Sequence, residues 1–308
     1  MIISMIYQLV TMVLLMVVGF LLTKKNFLSE SNTKGLSVVL TRVAVPANMI
    51  ILMQRPYSYG VLMDFLKIGG GTILICFVGT FMFMVLGKFL GMEFPELGLF
   101  SGGGVYSNVI FMGLPLINSM YGEDGRIFCV AIMFASNVFL FTVCSFLFSH
   151  KCGPSKSIGR VFKEAFINLI CLSAVIGFFC FLYSITLPEP ISNALQYSAN
   201  TTVCLSMIVI GSLLARAHLG KVLKDKTVYI FSFFTLIVMP IITKYILGLF
   251  IDGLALSVLV ILMATPAAAA LPSFAENYGN DGKRASEFVF VSTIFSVITL
   301  PIIARFLC

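Results

Sequence analysis

Ten apolar runs, each long enough to cross a lipid bilayer, constrain the fold of this 308-residue chain more than any other feature. A helix needs about 20 apolar residues to span the hydrocarbon core. The runs cover residues 2–23, 35–54, 61–90, 95–120, 126–149, 161–185, 191–215, 227–250, 254–278 and 284–307. Charged residues make up only 11% of the chain, too few to cover a surface that faces water. The sequence therefore predicts an all-α polytopic membrane protein with ten transmembrane helices.

The distribution of basic residues predicts how these helices are oriented. Fifteen of the twenty Lys and Arg residues lie in or next to the odd-numbered connections. Because connections rich in Lys and Arg stay on the cytoplasmic side, both termini are predicted outside, in a multi-pass protein of the inner (plasma) membrane. In a soluble protein the net charge of +7 would suggest a nucleic-acid partner. Here the expected partner is the lipid bilayer, and no nucleic acid is expected.

Residues that usually carry catalysis or hold metals are few or scattered. Most of the eight cysteines lie in apolar runs without a C-x-x-C pair, and the two histidines, His150 and His218, lie in predicted connections. Thiols embedded in this way behave as small core hydrophobes. The chain is therefore not expected to be an enzyme, and no cofactor or metal site is expected.

An internal repeat appears at an offset of 157 positions. Residues 114–125 and 271–282 both begin with Leu-Pro and end with Tyr-Gly-x-Asp-Gly, and six of the twelve positions are identical. Turn chemistry explains the Gly and Asp residues, but it does not explain the Leu-Pro upstream in both copies. We interpret the chain as two five-helix repeats, residues 1–155 and 156–308. Since five is odd, the second repeat is inverted, an arrangement that generates carriers with a site near the membrane midplane.

Prolines fall at corresponding places in the fourth and ninth predicted helices. Pro115 lies inside the fourth, and Pro266 and Pro272 lie inside the ninth. Proline removes a backbone donor and clashes with the carbonyl four residues back, so each helix is predicted to kink or unwind there. One proline could be an ordinary kink. A repeat-matched pair of broken, crossed helices indicates a transport site.

Polar residues beside these breaks are the candidate ligands. Asn108 precedes Pro115 by seven residues, the repeat offset carries it to Thr265, and Asn137 adds an amide in the fifth helix. Because no acid or base lies at the centre of the broken helices, an anion would be held by neutral donors and by the positive ends of half-helices. Asn108 could instead only join two helices by a hydrogen bond, and both interpretations stay open.

Asp64 and Lys67 lie one turn apart near the start of the third predicted helix. They are either a proton-linked pair beside the site or a simple i,i+3 ion pair at the membrane edge. Both readings stay open.

The stretches from Asn108 to Pro115 and from Pro266 to Tyr278 resemble the helix-four and helix-nine motifs of the auxin efflux carrier family. The resemblance covers nearly the whole chain, and the lack of a long central cytoplasmic loop is similar to bacterial members, which implies a bacterial inner membrane. It implies crossed, broken helices at a carboxylate site, and a transport domain of helices 3–5 and 8–10 moving against a scaffold of helices 1, 2, 6 and 7. The candidate substrate-binding residues are Asn108, Gly113, Pro115, Asn137, Thr265, Pro266 and Pro272. Asp64 and Lys67 resemble an Asp/Lys pair of plant exporters, with a spacing shorter by one.

The predicted function is secondary transport of a small organic anion by alternating access. The resemblance implies a carboxylate such as malate, malonate or an auxin-like acid. A coupling proton or sodium ion and a homodimer stay open. Two other functions also stay open, a sodium-coupled organic-anion symporter of the bile-acid type and a passive channel. The symporter would need clustered carboxylates and amides near the crossing, and buried acids are scarce there.

Overall fold

The computed structural model describes residues 2–152, 168–216, 222 and 225–307, and all regular secondary structure within them is helical. Seven of the helices in these ranges are long and apolar enough to cross a membrane. They are Ile3–Lys24, Glu30–Leu52, Tyr59–Phe89, Val109–Ser149, Glu189–Arg216, Lys226–Leu247 and Gly282–Leu307. Leu169–Leu182 and Gly253–Met263 are shorter apolar helices. The predicted helical membrane architecture is confirmed at this level.

The described α-helices are numbered here in chain order. They are α1 (Ile2–Lys24), α2 (Glu30–Val39), α3 (Val45–Leu52), α4 (Tyr59–Phe89), α5 (Glu96–Val105), α6 (Leu114–Phe139), α7 (Ser145–Ser149), α8 (Leu169–Leu182), α9 (Glu189–Arg216), α10 (Lys226–Phe233), α11 (Met239–Leu247), α12 (Gly253–Met263), α13 (Leu271–Asn277) and α14 (Gly282–Leu307). Four π-helical segments also occur: Leu40–Ala44, Val109–Gly113, Leu140–Cys144 and Phe234–Val238.

The fourth and ninth predicted helices are interrupted, as expected. The fourth is interrupted between Val105 and Val109, and the ninth between Met263 and Leu271. After the first interruption the helix runs on to Ser149, with a sharp turn at Gly122 where φ is 61° and ψ is −144°. These interruptions are one reason why fewer long helices are found than the ten apolar runs predicted.

Parts of the predicted organisation lie outside the described residues. They are the repeat boundary at residues 155 and 156, the start of the sixth run, and the bases Lys156, Arg160, Lys163, Lys221 and Lys224.

Three prolines inside long helices directly follow π-helical segments. Pro46, Pro115 and Pro240 are each the second residue of the α-helix that continues the segment. A π turn bonds residues five apart rather than four, so it accommodates a residue that cannot donate to the carbonyl four positions back. The helices therefore continue through these prolines. The fourth predicted helix does not unwind at Pro115 itself, because its interruption lies upstream, between Val105 and Val109.

Helices α1 and α9 pack backbone to backbone. A Cβ atom added at Gly19 would lie 2.2 Å from the carbonyl oxygen of Ile208, and one at Gly211 would lie 2.0 Å from that of Met16. Small residues allow membrane helices to approach backbone to backbone in this way. The segment from α2 to α3 packs on α9, and α8 packs on α3. These elements form the first packing group.

A second packing group surrounds four buried phenylalanines. Phe83 of α4 lies 5.4 Å from Phe100 of α5 and 5.7 Å from Phe231 of α10, between ring centroids. Phe231 stacks on Phe288 of α14 at 4.2 Å. We call these four residues the aromatic layer. Aromatic contacts of this kind stabilise a core beyond the area they bury, and here they fix the relative depth of four helices.

Candidate substrate site at the crossing of two interrupted helices

The two interrupted helices meet at their breaks. The N–H of Asn108 donates to the carbonyl of Pro266, and the N–H of Ala268 donates to the carbonyl of Tyr106, both at 2.8 Å. Ser107 and Ala267 form an antiparallel bridge between these bonds. Backbone groups that leave a helix within a membrane must find partners in the protein, and the two breaks satisfy each other. We call residues 106–108 and 266–268 the crossing.

Four helix ends converge on the crossing. Helices α5 and α12 end there, at Val105 and Met263, while the helices that begin at Val109 and Leu271 leave from it. The end of a helix carries about half a negative charge and the start about half a positive charge. Regions attractive to anions and to cations therefore lie close together at the crossing.

Ser292 of α14 supports the crossing from behind. The N–H of Ala267 donates to Ser292 Oγ at 3.2 Å, and this hydroxyl donates to the carbonyl of Phe288 at 2.7 Å. The side chain is fully buried. Sequence reasoning missed Ser292, because one serine in an apolar helix is indistinguishable from an ordinary packing residue.

A cavity lies beside the crossing. Its lining residues are Thr41, Tyr106, Ser107, Asn108, Val109, Ile110, Phe111, Met133, Ser136, Asn137, Ile170, Ala268 and Ala270. Polar groups come from the breaks and from the helix after Gly122, and none of these described lining residues is charged. The cavity can therefore offer hydrogen bonds and apolar contact to a ligand, but no formal countercharge.

Asn108 is the most unusual residue of this lining. Its side chain is 2% exposed, and its Nδ2 has no hydrogen-bond partner among the described residues. Its backbone carbonyl accepts from the N–H groups of Met112 and Gly113 at 3.2 and 3.1 Å. A buried amide without a partner is costly, so such a group calls for a ligand or an ordered water.

Asn137 lines the same cavity, but its amide nitrogen already has a hydrogen-bond partner. It is 4% exposed, and its Nδ2 donates to the carbonyl of Met133 at 2.8 Å. The structure thus brings together the two asparagines that the sequence singled out. Of these two asparagines, only Asn108 has an amide nitrogen without a hydrogen-bond partner among the described residues.

The remaining sequence candidates pack around the cavity and are not part of its lining. A Cβ at Gly113 would lie 2.3 Å from Leu262 Cδ2, so this glycine permits close packing. The Thr265 hydroxyl donates to the carbonyl of Leu262 at 2.7 Å. Pro115 and Pro272 are each the second residue of an α-helix, and Pro266 supplies a carbonyl to the crossing.

The pairing at the crossing departs from the repeat offset of 157 that relates Asn108 to Thr265. Ser107 pairs with Ala267, so Pro266 lies opposite Asn108 in this antiparallel pair, and a two-fold axis through the pair would make Ala268 the counterpart of Asn108. Pro115 follows Asn108 by seven residues, whereas Pro272 follows Ala268 by four. The stretch from Asn108 to Pro115, which includes a π-helical segment, is therefore three residues longer than the stretch from Ala268 to Pro272.

Asp64 and Lys67 lie in a different place, a charged groove at the start of α4. One cavity in the groove is lined by Arg55, Asp64, Lys67, Asp124 and Asp252, among others. A second cavity shares Arg55 and Asp124 with it. Among the described residues no ion pair joins Asp64 to Lys67, so the predicted i,i+3 pair is absent. Instead Arg55 lies 3.8 Å from Asp124.

A charged cluster occupies the other end of α4, where α5, α10 and α14 begin. Arg284 bonds to Glu96 at 3.0 Å, to Glu287 at 2.9 Å and to Asp225. Burial opposes ionisation, but hydrogen bonds from Thr227 and Arg284 hold the pKa of Asp225 below its ordinary value of 3.8. The cluster ties the starts of three helices together.

Comparison with known proteins agrees with this picture. The sequence pattern of a family described as membrane transport protein matches residues 4–304. An uncharacterized transporter from Methanocaldococcus jannaschii is 27% identical over 299 residues, with 94% of each chain covered. Another uncharacterized transporter, from Methanothermobacter thermautotrophicus, is 25% identical over 302 residues, with 95% of each chain covered. Since the family match spans nearly the whole chain, this protein belongs to the membrane transport protein family, that of the auxin efflux carriers.

Proposed function

We propose that this transporter is a secondary carrier that moves a small organic anion by alternating access at the crossing cavity. The observation that carries the proposal is the buried, unpaired amide of Asn108 in an uncharged cavity where a half-helix begins. An amide nitrogen offers two donors to a carboxylate. Neutral donors suit a carrier, because the cargo must be released as well as bound.

We further propose ten membrane passes in two inverted repeats, residues 1–155 and 156–308, in the plasma membrane with both termini outside. The paired breaks and the matched positive-φ turns at Gly122 and Gly279 support this arrangement. The first packing group corresponds to the scaffold, and the elements α4–α7 and α10–α14 to the transport domain. Thr41 and Ile170 then contribute scaffold walls to a cavity whose other walls move.

The lining of the cavity favours a carboxylate with one charge and an apolar body. Ile110, Phe111, Met133 and Ile170 provide apolar surface beside the amides. A dicarboxylate such as malate or malonate would bring a second charge into a site without a cation of its own, which is costly in a medium of low dielectric constant. An auxin-like acid fits the lining better.

Counterflow in proteoliposomes tests the carrier mechanism. Vesicles loaded with an unlabelled monocarboxylate should transiently accumulate the labelled compound above equilibrium, because a carrier exchanges its cargo. A passive channel gives no such overshoot. A requirement for Na⁺ would distinguish a sodium-coupled symporter from an uncoupled carrier.

Substitution of Asn108 tests the site itself. Asn108→Ala should weaken binding of the transported monocarboxylate about ten- to a hundredfold, the effect of about 1.5–3 kcal/mol for one hydrogen bond to a charged group. Thermal stability should change little, since the amide has no partner within the described residues. Affinity and melting temperature would be measured on the same purified protein.

Asn48 provides the matched control. This buried asparagine of α3 donates to Thr202 Oγ1 at 2.9 Å and to the carbonyl of Ala199 at 3.3 Å, and it lies outside the cavity lining. Asn48→Ala should lower the melting temperature and leave affinity unchanged. If Asn108→Ala behaved like Asn48→Ala, the amide would be a packing residue and the proposed site would be wrong.

A further inference from the structure

We propose that a monovalent cation of the size of Na⁺ binds beside the crossing, between the hydroxyls of Thr80 and Thr235 and the C-terminal end of α5. This site is separate from the anion cavity. The existence of this cation site does not depend on the proposed function. Only the interpretation of the bound cation as a coupling ion rests on it.

The first observation is a pair of buried hydroxyls without partners. Thr80 of α4 is 6% exposed and Thr235 is 1% exposed. Neither Oγ1 atom has a hydrogen-bond partner among the described residues. Most threonines in membrane helices donate to a carbonyl of the preceding turn, as Thr72 does to Ile68 at 2.8 Å. The hydroxyls of Thr80 and Thr235 do not, and neither do those of Thr293 and Thr299 on α14. A buried hydroxyl without a partner calls for a ligand or an ordered water.

The aromatic layer places these hydroxyls at one depth. Phe83 contacts Phe231, so α4 and α10 are aligned at this pair. Thr80 lies three residues before Phe83, and Thr235 lies four residues after Phe231. Each threonine is therefore one helical turn from its phenylalanine and on the same face of its helix. Since α4 and α10 run in opposite directions, both steps lead from the aromatic layer towards the crossing.

The C-terminal end of α5 lies at the same depth. A Cβ at Gly104 would lie 2.5 Å from the ring of Phe83, and one at Gly79, next to Thr80, would lie 2.7 Å from both Val105 Cγ1 and Met239 Cε. Met239 is four residues after Thr235, on the same face. Three independent contacts therefore bring α4, the π segment and the end of α5 together.

The end of α5 offers oxygen ligands of the right polarity. The last four carbonyls of a helix have no partner within it and carry partial negative charge. Those of Gly102 and Val105 accept from Cys144 Sγ and from the N–H of Ser107. Those of Gly103 and Gly104 make no recorded hydrogen bond in the described part of the chain.

Neutral oxygens and a helix C-terminus select a monovalent cation. Transporters coordinate Na⁺ with unwound backbone carbonyls and half-helix C-terminal ends, whereas Mg²⁺ and Ca²⁺ need carboxylates. Thr235 also lies in a π-helical segment, Phe234–Val238, and such segments often mark functional positions. The anion would then bind where a half-helix starts, and the cation where its preceding half ends.

Thermal melting of the purified full chain in detergent tests this site without any organic anion. At constant ionic strength, replacing choline with Na⁺ should raise the melting temperature with saturation, because a ligand that binds only the folded state stabilises it. Thr80→Val and Thr235→Val should each raise the half-saturating Na⁺ concentration tenfold or more. Thr80→Ser and Thr235→Ser, which keep the hydroxyl, should retain the response even if the valine variants fold poorly.

Thr72→Val is the control, since Thr72 is buried on the same helix with its hydroxyl already paired. It should leave the Na⁺ response unchanged. Equal melting of the unmodified protein in Na⁺ and choline would overturn the proposal, as would an equal loss of response in Thr72→Val. Na⁺ stabilisation without anion counterflow would leave the cation site standing and refute the anion carrier.

Discussion

The two copies of the Tyr-Gly-x-Asp-Gly turn share a backbone and differ in what their side chains contact. Gly122 and Gly279 have φ values of 61° and 77°, in the left-handed region that glycine adopts without steric penalty. Each turn reverses the chain at the end of an interrupted helix. The repeated motif thus has the same turn conformation at both places in the chain.

The second turn is joined to its surroundings by hydrogen bonds and ion pairs. Asp281 accepts from the N–H groups of Lys283 and Arg284 at 2.9 and 3.0 Å and so caps α14. The Asn280 amide donates to the carbonyls of Pro95 and Phe148 at 3.1 and 2.9 Å. Together with the three carboxylates around Arg284, these bonds join the turn to four other elements.

The first turn is open. Glu123 occupies the position of Asn280, and Ile127 that of Arg284. Asp124, which corresponds to Asp281, is 77% exposed in its side chain and lies 3.8 Å from Arg55 at the charged groove. The two turns therefore differ at two side-chain positions, Asn280 against Glu123 and Arg284 against Ile127. These positions account for the contacts that the second turn makes and the first turn lacks among the described residues.

The largest effect should come from removing the guanidinium of the closed turn. Arg284→Met leaves three carboxylates close together without their cation. We expect a loss of about 2–3 kcal/mol in the free energy of unfolding, below the 3–5 kcal/mol of fully buried pairs because Glu96 and Asp225 are partly exposed. Arg55→Met at the open turn should cost less than about 0.5 kcal/mol. Chemical denaturation measures both losses. Similar losses of unfolding free energy in the two variants would contradict the proposed difference between the two turns.

A smaller effect should follow at the amide position. Asn280→Ala removes the two hydrogen bonds that the amide donates and the one that Asn280 Oδ1 accepts from the N–H of Asp281, so we expect a loss of about 1–2 kcal/mol. The exposed Glu123→Ala at the matching position should stay within about 0.5 kcal/mol of the unmodified protein. A larger loss in the free energy of unfolding for Glu123→Ala than for Asn280→Ala would contradict the prediction that the first turn is the less tightly held of the two.

The smallest effect concerns pH. Because the pKa of Asp225 is lowered in the folded state, its contribution to stability is present above the ordinary value of 3.8 and is lost as pH falls below it. The unmodified protein should therefore lose more stability than Asp225→Asn between about pH 5 and pH 3. Parallel melting curves against pH for the two proteins would show that Asp225 is not coupled to Arg284.

The sequence predicted the parts of the fold that depend on composition and on backbone chemistry. Apolar length predicts membrane helices, and Gly122 and Gly279 predict tight turns, because each follows from one residue type or one run. Asn108 and Asn137 are predicted ligands because an amide in a membrane helix needs a hydrogen-bond partner. Both line the crossing cavity.

What the sequence could not predict depends on contacts between distant segments. The interruption of the fourth predicted helix lies upstream of Pro115, and the pairing of Ser107 with Ala267 departs from the repeat offset of 157. Ser292 and the hydroxyls of Thr80 and Thr235 differ from ordinary packing residues only in which partners they have or lack. A single sequence contains no trace of such partners.

The uncharged lining of the crossing cavity has an electrical consequence. A carrier whose site has no charge of its own moves the full charge of its cargo, so each monoanion crosses against or along the membrane potential. That potential is worth about 2.3 kcal/mol per charge for every 100 mV. With the interior negative, transport of the anion alone would run outward, and accumulation inside would require a cation to travel with it. Uptake that is unchanged when the potential is clamped to zero would therefore indicate an electroneutral cycle with one cation per anion.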